Sequence, residues 1–412
     1  MTDKLQFSAG FWWGVAGAAH QIEGGNSNSD GWLLEHIPGS PFVEPSGDAC
    51  DHYHRYPTDI ALIAALGFNA YRFSIEWARI EPEEGEFSVA ALEHYRRMLI
   101  TCHEYGLTPI VTYHHFTSPR WFAAKGGWER LENGDLFVRF AERATRHLGD
   151  LTGAVCTFNE PNVGLLGQYA GWMPADDVIA AAPWRAAAAK AVGSDTFSAF
   201  PACALSSSRD TFIAAHRKAV EAIKSGPGSF PVGMTLALTD HQALPGGEAV
   251  RDRIRGAVDD VFLDAARGDD FLGVQTYTRA RYDANGPLGP EAGVELTLMG
   301  YEFYPEALEG AIRYAAQYTG CPVIVTENGI GASDDSSRIR YVDRALRGVH
   351  NCLRDGIDVR GYCYWSIFDN FEWSLGYRPT FGLIAVDRAT QRRTLKPSAS
   401  WLGSIARNGV LA

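Results

Sequence analysis

Two glutamates close apolar, strand-like runs in this chain: "AVCTFNEP", Ala154 to Pro161, carries Glu160, and "PVIVTE", Pro322 to Glu327, ends on Glu327. A carboxylate at the edge of a core is paired, hydrogen-bonded or chemically employed, because stripping it of water is costly. Two such groups facing each other could divide the work of glycoside hydrolysis. One would protonate the leaving oxygen while the other attacks the neighbouring carbon or directs water to it. Strand-end acids also bind metals, stabilise enolates or cap helices, and spacing alone leaves those readings open.

Further polar residues gather at the ends of similar runs: Gln21, Arg72, His114 and His115, Asn159, Tyr277, and then Glu372 with Trp373. Carboxylates, amides, imidazoles and indoles in one ring make the composition of a sugar site. Eight runs of strand length must position them, namely Trp12 to Ala19, Asn69 to Ile75, Thr108 to His114, Ala154 to Asn159, Pro231 to Leu238, Phe271 to Tyr277, Pro322 to Glu327 and Arg360 to Ser366. Stretches such as "YPTDIALIAALG" between them carry helical spacing, with Gly67 and Gly356 placed as helix stops. Eight βα units predict the α/β class and a single (β/α)8 TIM barrel, one domain over residues 1–412, with extended loops and the site at the carboxyl ends of its strands. The alanine- and serine-rich stretch from Ala180 to Ser208 reads either as an insertion on that face or as a poorly ordered excursion.

Composition narrows the partners. The 412 residues are 46% hydrophobic, enough for a sizeable core, and a net charge of -12 without a lysine or arginine block argues against nucleic acid or an anionic membrane surface. The opening "MTDKLQFSAGF" lacks the basic and apolar regions of a secretory signal, and no window reaches the ~18 apolar residues of a membrane span. Seven cysteines without a C-x-x-C pair read as buried thiols, so a soluble, cytoplasmic protein is expected, with homo-oligomerisation left open. His52, His54, His114 and His115, with Asp48 and Asp51, lie on two segments and lack a spacing such as H-E-x-x-H, so neither a metal nor another cofactor is expected.

The local sequences resemble family-1 glycoside hydrolases, the β-glucosidase family, from about Phe7 to Trp401. "FWWGVAGAAHQIEGG" is similar to that family's opening, "YRFSIEWARIEP" to its second-strand signature and "TYHHFTSPRW" to its Y-H-x-x-x-P segment. "TFNEPN" is similar to the T-x-N-E-P that carries the acid/base, "VIVTENGI" to the T-E-N-G that carries the nucleophile, and "YWSIFDNFEWSLGYRPTFGLIAVD" to the block around D-N-F-E-W.

The resemblance implies a retaining β-glycosidase, foremost a β-glucosidase releasing terminal β-linked sugars through a covalent glycosyl-enzyme. Glu327 would be the nucleophile and Glu160 the general acid and later base, their carboxyls ~5 to 5.5 Å apart. Arg72 and Tyr277 would keep Glu327 ionised, although Arg72 also reads as an ion-pair residue beneath the sheet. Gln21, His114, Asn159, Tyr277 and Glu372 would bond the sugar hydroxyls, with Trp365 and Trp373 around them; Gln21 also reads as a loop cap and Trp365 as core. No cofactor is implied, and the partner is a small-molecule β-glycoside. Two departures stand out: His115 where the family usually has the tryptophan of Tyr-His-Trp, and Gln275 where it has asparagine. They raise the alternative of a subsite specialised for a substituted or disaccharide glycone or a particular aglycone. A 6-phospho-β-glycosidase is disfavoured because Glu372 and Trp373 stand where a phosphate would be repelled, and a non-catalytic sugar-binding relative because both glutamate motifs are intact.

Overall fold

The computed structural model describes residues 4–412. All eight apolar runs contribute strands: β1 (Trp12–Ala16), β2 (Ala70–Ser74), β3 (Thr108–His114), β4 (Ala154–Asn159), β5 (Val232–Ala237), β6 (Phe271–Gln275), β7 (Val323–Asn328) and β8 (Val359–Trp365). Each pairs in parallel with its neighbours, and β8 pairs with β1, so the sheet closes into a (β/α)8 barrel. Alternation along each strand separates two cores. Ile110, Ala154, Cys156, Ile324 and Cys363 pack together at the barrel axis, whereas Val111, Val155 and Val325 belong to the larger apolar layer between strands and helices.

That outer layer is completed by α1 (His52–Leu66), α2 (Val89–Glu104), α3 (Gly134–Leu148), α4 (Leu205–Lys224), α5 (Glu248–Arg255), α6 (Ala307–Thr319), α7 (Asp335–Arg354) and α8 (Pro397–Asn408). Side-chain caps start α2 and α7: Ser88 accepts from the Ala91 amide and Asp334 from that of Ser336. Gly67 ends α1 at φ 108°, a conformation a side chain would strain, and Gly356 follows α7 at φ 86°.

The stretch from Ala180 to Ser208 is an ordered insertion. Pro183–Ala191 forms a helix whose Ala188 and Ala189 pack with Phe197, Leu34 and Ala123, small side chains allowing the close approach. The preceding helix, Asp176–Ala180, turns the Asp176 carboxylate onto the amides of Leu205 and Ser206, where it complements the positive end of α4. None of the described helices is long and apolar enough to cross a membrane.

Strands β5 and β6 approach so closely that a Cβ on Gly233 would stand 2.0 Å from the Phe271 carbonyl oxygen. Gly233→Ala should therefore cost roughly 1 to 3 kcal/mol of stability, measured from urea unfolding. An unchanged midpoint and slope would show that the barrel has room there.

Candidate active site

Strand alternation breaks at the carboxyl ends of three strands, and these breaks build the site. On β4, Cys156 pairs with Gly233 and Asn159 with Thr235, three steps against two on β5. The extra residue lets Thr157 and Phe158 both face the helices: the Thr157 hydroxyl lies 2.8 Å from His216 Nδ1 on α4, and the Phe158 ring packs on Phe137 of α3 at 4.4 Å. Asn159 and Glu160 then turn to the mouth of the barrel, with Glu160 at φ 45° and its N–H donating to the Thr235 carbonyl at 2.9 Å. A second shift falls between Val325 and Glu327 on β7, which places Glu327 opposite Gln275.

Glu327 and Arg72 form the centre. Arg72, 1% exposed, donates from Nη1 to Glu327 Oε1 at 2.5 Å and from Nη2 to Asn159 Oδ1 at 2.6 Å. The Tyr277 hydroxyl donates to Glu327 Oε2 at 2.6 Å. Asn159 Oδ1 also accepts from Gln275 Nε2 at 2.8 Å, so four strands meet in one network. Arg72 thus pairs with Glu327 and Asn159 at the strand ends and not beneath the sheet.

The electrostatics separate the two acids. Burial raises Glu327, but the Arg72 charge and the hydrogen bonds of Tyr277, Arg72 and Gln275 pull it back toward ionisation. Glu160 is lifted well above the usual carboxylate range by burial and by the Glu327 charge, with Arg72 opposing. Among the described residues, no side-chain donor reaches its carboxyl. The pair therefore titrates as a unit, with the proton resting on Glu160.

Around these lie Gln21, whose Nε2 donates to the Phe371 carbonyl at 2.8 Å, and Glu372, pushed up to about 8 by burial and the Glu327 charge. His115 stacks on Trp365 at 5.8 Å and on Trp373 at 6.3 Å, and burial holds its ring neutral. Gln21 Oε1, His115 Nδ1, Gln275 Oε1 and Glu372 Oε2 are buried without a protein partner, each a cost of about 1 to 3 kcal/mol unless a ligand meets it.

His114, expected to bond a sugar hydroxyl, is not part of this group. Its ring lies among Trp128, Phe137, Phe158 and Phe212 in the outer layer, and its Nε2 bonds Ser118 at 3.0 Å. Regular alternation would have turned it inward with Ile110 and Thr112, but Tyr113 and His114 both face the helices, and His115 comes round instead. The signal was present in the sequence: H-x-x-x-P counted back from Pro119 lands on His115. The tryptophan of the family's Tyr-His-Trp then falls on Phe116, which packs on Trp373 at 5.0 Å, so His115 is no departure.

Sequence reasoning also missed three residues. His20, beside Gln21, stacks on Trp373 at 5.4 Å and bonds Glu35 at 2.6 Å. Tyr301 feels the charges of Glu372 and Glu160, and burial with those charges pushes its phenol up to about 12. Phe381 packs edge-on to Tyr277 at 6.0 Å. The other histidines of the first segment part company: His52 bonds Asp59 and Tyr71, and His54 bonds Asp51. At the opposite mouth of the barrel a cleft of about 380 Å³ is lined by Phe11, Trp12, Pro231 and Phe271, with the Asp358–Arg360 pair at its rim.

Replacing His114 with Ala should lower stability by roughly 2 to 4 kcal/mol, because four aromatic rings lose a neighbour. A urea midpoint close to wild type would place that ring elsewhere.

The chain is similar to known proteins along nearly its whole length. The model of Glycosyl hydrolase family 1 matches residues 3–267 and 271–410. The chain is 32% identical to the thermostable beta-glucosidase B of Thermobispora bispora, over 99% of this chain and 92% of that protein. Among solved structures, the beta-glycosidase BGL167 superposes with a TM-score of 0.94 at 54% identity, covering 97% of each chain. The beta-glycosidase from Pyrococcus horikoshii gives 0.85 at 33%, covering 100% of this chain and 97% of that one. Two buried glutamates at the strand ends of a closed barrel, and a match along nearly its whole length, make this chain a member of glycosyl hydrolase family 1, a glycosidase acting on O-glycosyl bonds.

Proposed function

We propose that the chain is a single catalytic domain, a retaining β-glucosidase in which Glu327 attacks the anomeric carbon and Glu160 first protonates the leaving oxygen and then activates water. The observation that carries this reading is the asymmetry of the two acids. Glu327 is clamped by Arg72 and Tyr277 at 2.5 and 2.6 Å, which favours the carboxylate a nucleophile must be. Glu160 lacks such donors and is held protonated, as a general acid must be. Gln21, His115, Asn159 and Glu372 supply both donors and acceptors for hydroxyls, and the Trp365 and Trp373 indoles wall the sugar.

Unphosphorylated glucosides are the substrates we favour, because Glu372 lies at the rim while Arg378 is exposed. The two departures are then Phe116 and Gln275; Phe116 keeps an aromatic wall against Trp373 and the Gln275 amide nitrogen bonds Asn159, which supports simple β-glucosides over a specialised glycone. Seven unpaired, buried cysteines support a reducing, cytoplasmic setting.

Replacing Glu327 with Ala should abolish turnover, and azide should restore part of it with inverted product. Glu160→Ala should lower kcat/KM on alkyl glucosides by about 100-fold or more while sparing kcat/KM on activated phenols, whose departure needs no proton. Proton NMR of the product and the two rate ratios decide: inversion by wild type, or equal losses on both substrates, would refute these roles. The second test is the pH profile. Glu327 must be ionised, so its titration forms the acidic limb of kcat/KM. Tyr277→Phe removes a bond that favours the ionised form and should move that limb upward by roughly one pH unit, whereas an unmoved or lower limb would detach Tyr277 from Glu327.

A further inference from the structure

Behind Glu160 runs a buried chain of polar groups that no step of the reaction touches. Thr157, 0% exposed, meets His216 Nδ1 at 2.8 Å; His216 Nε2 lies 3.2 Å from Asp269 Oδ1; and Asp269 Oδ2 accepts the Met234 backbone N–H at 3.1 Å. With Nε2–H donating to the carboxylate, Nδ1 shares the remaining hydrogen bond with the Thr157 hydroxyl, which can donate or accept. The chain therefore ties β4 to β5 through α4 and through the segment that leads into β6.

Its two ends are strategically placed. Thr157 is the first of the pair of residues that face the helices at the β4 irregularity, the feature that turns Asn159 to the mouth and from which the chain enters the Glu160 turn. Met234 precedes Thr235, whose carbonyl accepts the Glu160 N–H at 2.9 Å and whose hydroxyl lies 3.4 Å from Asn159 Oδ1. A strand with an extra residue has two ways to slip back to regular pairing, by moving the threonine inward or by shifting β5. The His216–Asp269 pair opposes both, because it holds the threonine hydroxyl outward and the neighbouring β5 amide in place. Glu160 itself sits at φ 45°, a conformation that a non-glycine residue keeps only when its surroundings over-determine it.

We infer that His216 and Asp269, acting through the Thr157 hydroxyl, are positioning residues for Glu160, pinning the strand irregularity that aims its carboxyl at the leaving oxygen. This rests on the reading of Glu160 as proton donor. A proton donor displaced by about 1 Å loses a large part of its effect, while a leaving group that departs without a proton is indifferent to the displacement.

The test uses Thr157→Val, which keeps the volume and removes the hydroxyl, with His216→Leu, Thr157→Ser and Glu160→Ala alongside, on dinitrophenyl and methyl β-glucosides. Thr157→Val and His216→Leu should each lose roughly tenfold or more in kcat/KM on the methyl glucoside and less than about twofold in kcat/KM on the dinitrophenyl glucoside, with Thr157→Ser restoring the ratio of wild type. Should His216→Leu fail to fold, the isosteric Thr157→Val decides alone. Equal losses on both glucosides, or a Thr157→Val enzyme that matches wild type, would overturn the inference while Glu160→Ala still discriminates between the substrates. If Glu160→Ala itself fails to discriminate, the assignment of Glu160 falls, and the positioning role with it.

Discussion

Arg72 lies inside the barrel with 1% of its surface exposed, where an ion costs several kcal/mol to desolvate unless its protons are met. Its two terminal nitrogens are met by Glu327, by Asn159 and by the Thr326 carbonyl, which come from β7 and β4 on opposite sides of it, while Nε is buried without a protein partner. Breaking such a pair leaves a buried charge unmatched, so the guanidinium fixes how β2, β4 and β7 meet at the mouth. It also fixes which acid is ionised. Two buried carboxyls within reach of each other's charge resist joint ionisation, and the one that receives Arg72 and Tyr277 keeps the negative charge. The other keeps the proton.

That arrangement depends on strands that are not regular at their ends. Perfect alternation would turn Phe158 and His114 to the axis and leave Asn159, Glu327 and His115 pointing at helices. An irregularity on β4, a shift on β7 and the double outward turn at Tyr113–His114 reverse this, and those on β3 and β4 are held by packing outside the barrel. Phe158 and His114 share one aromatic nest with Trp128, Phe137 and Phe212. The outer apolar layer thus sets the aim of the polar groups inside, and a change in that nest acts on chemistry by way of strand register.

The rim is built differently. Trp373, at φ 50°, is stacked between His20 and the Phe116 side of the mouth, and Gln21 bonds the backbone of Phe371. Loops from the first, third and eighth units hold one another here, so the walls of the sugar site come from segments far apart in the chain. The ordered insertion packs on this same face through Phe197, Leu34 and Ala123.

The eight strands were legible because each is a short apolar run bounded by helical spacing, a pattern set by which residues must leave water and readable without knowing where they go. Gly67 and Gly356 were legible as stops for an equally local reason, and Glu160 and Glu327 because carboxylates at the ends of such runs need an explanation. What the linear pattern could not supply was direction. Its place at a strand end and the family resemblance assigned His114 to the site, and only the packing of its ring against four aromatic side chains, drawn from α3, α4, β4 and the loop after β3, shows that the strand turns the other way. His20, Tyr301 and the His216–Asp269 pair were equally hidden, since each acquires its meaning from a partner brought near by folding. The division of one proton between Glu160 and Glu327 is of the same kind: both are glutamates with the same intrinsic acidity, and only the placement of Arg72 and Tyr277 beside one of them decides which is charged.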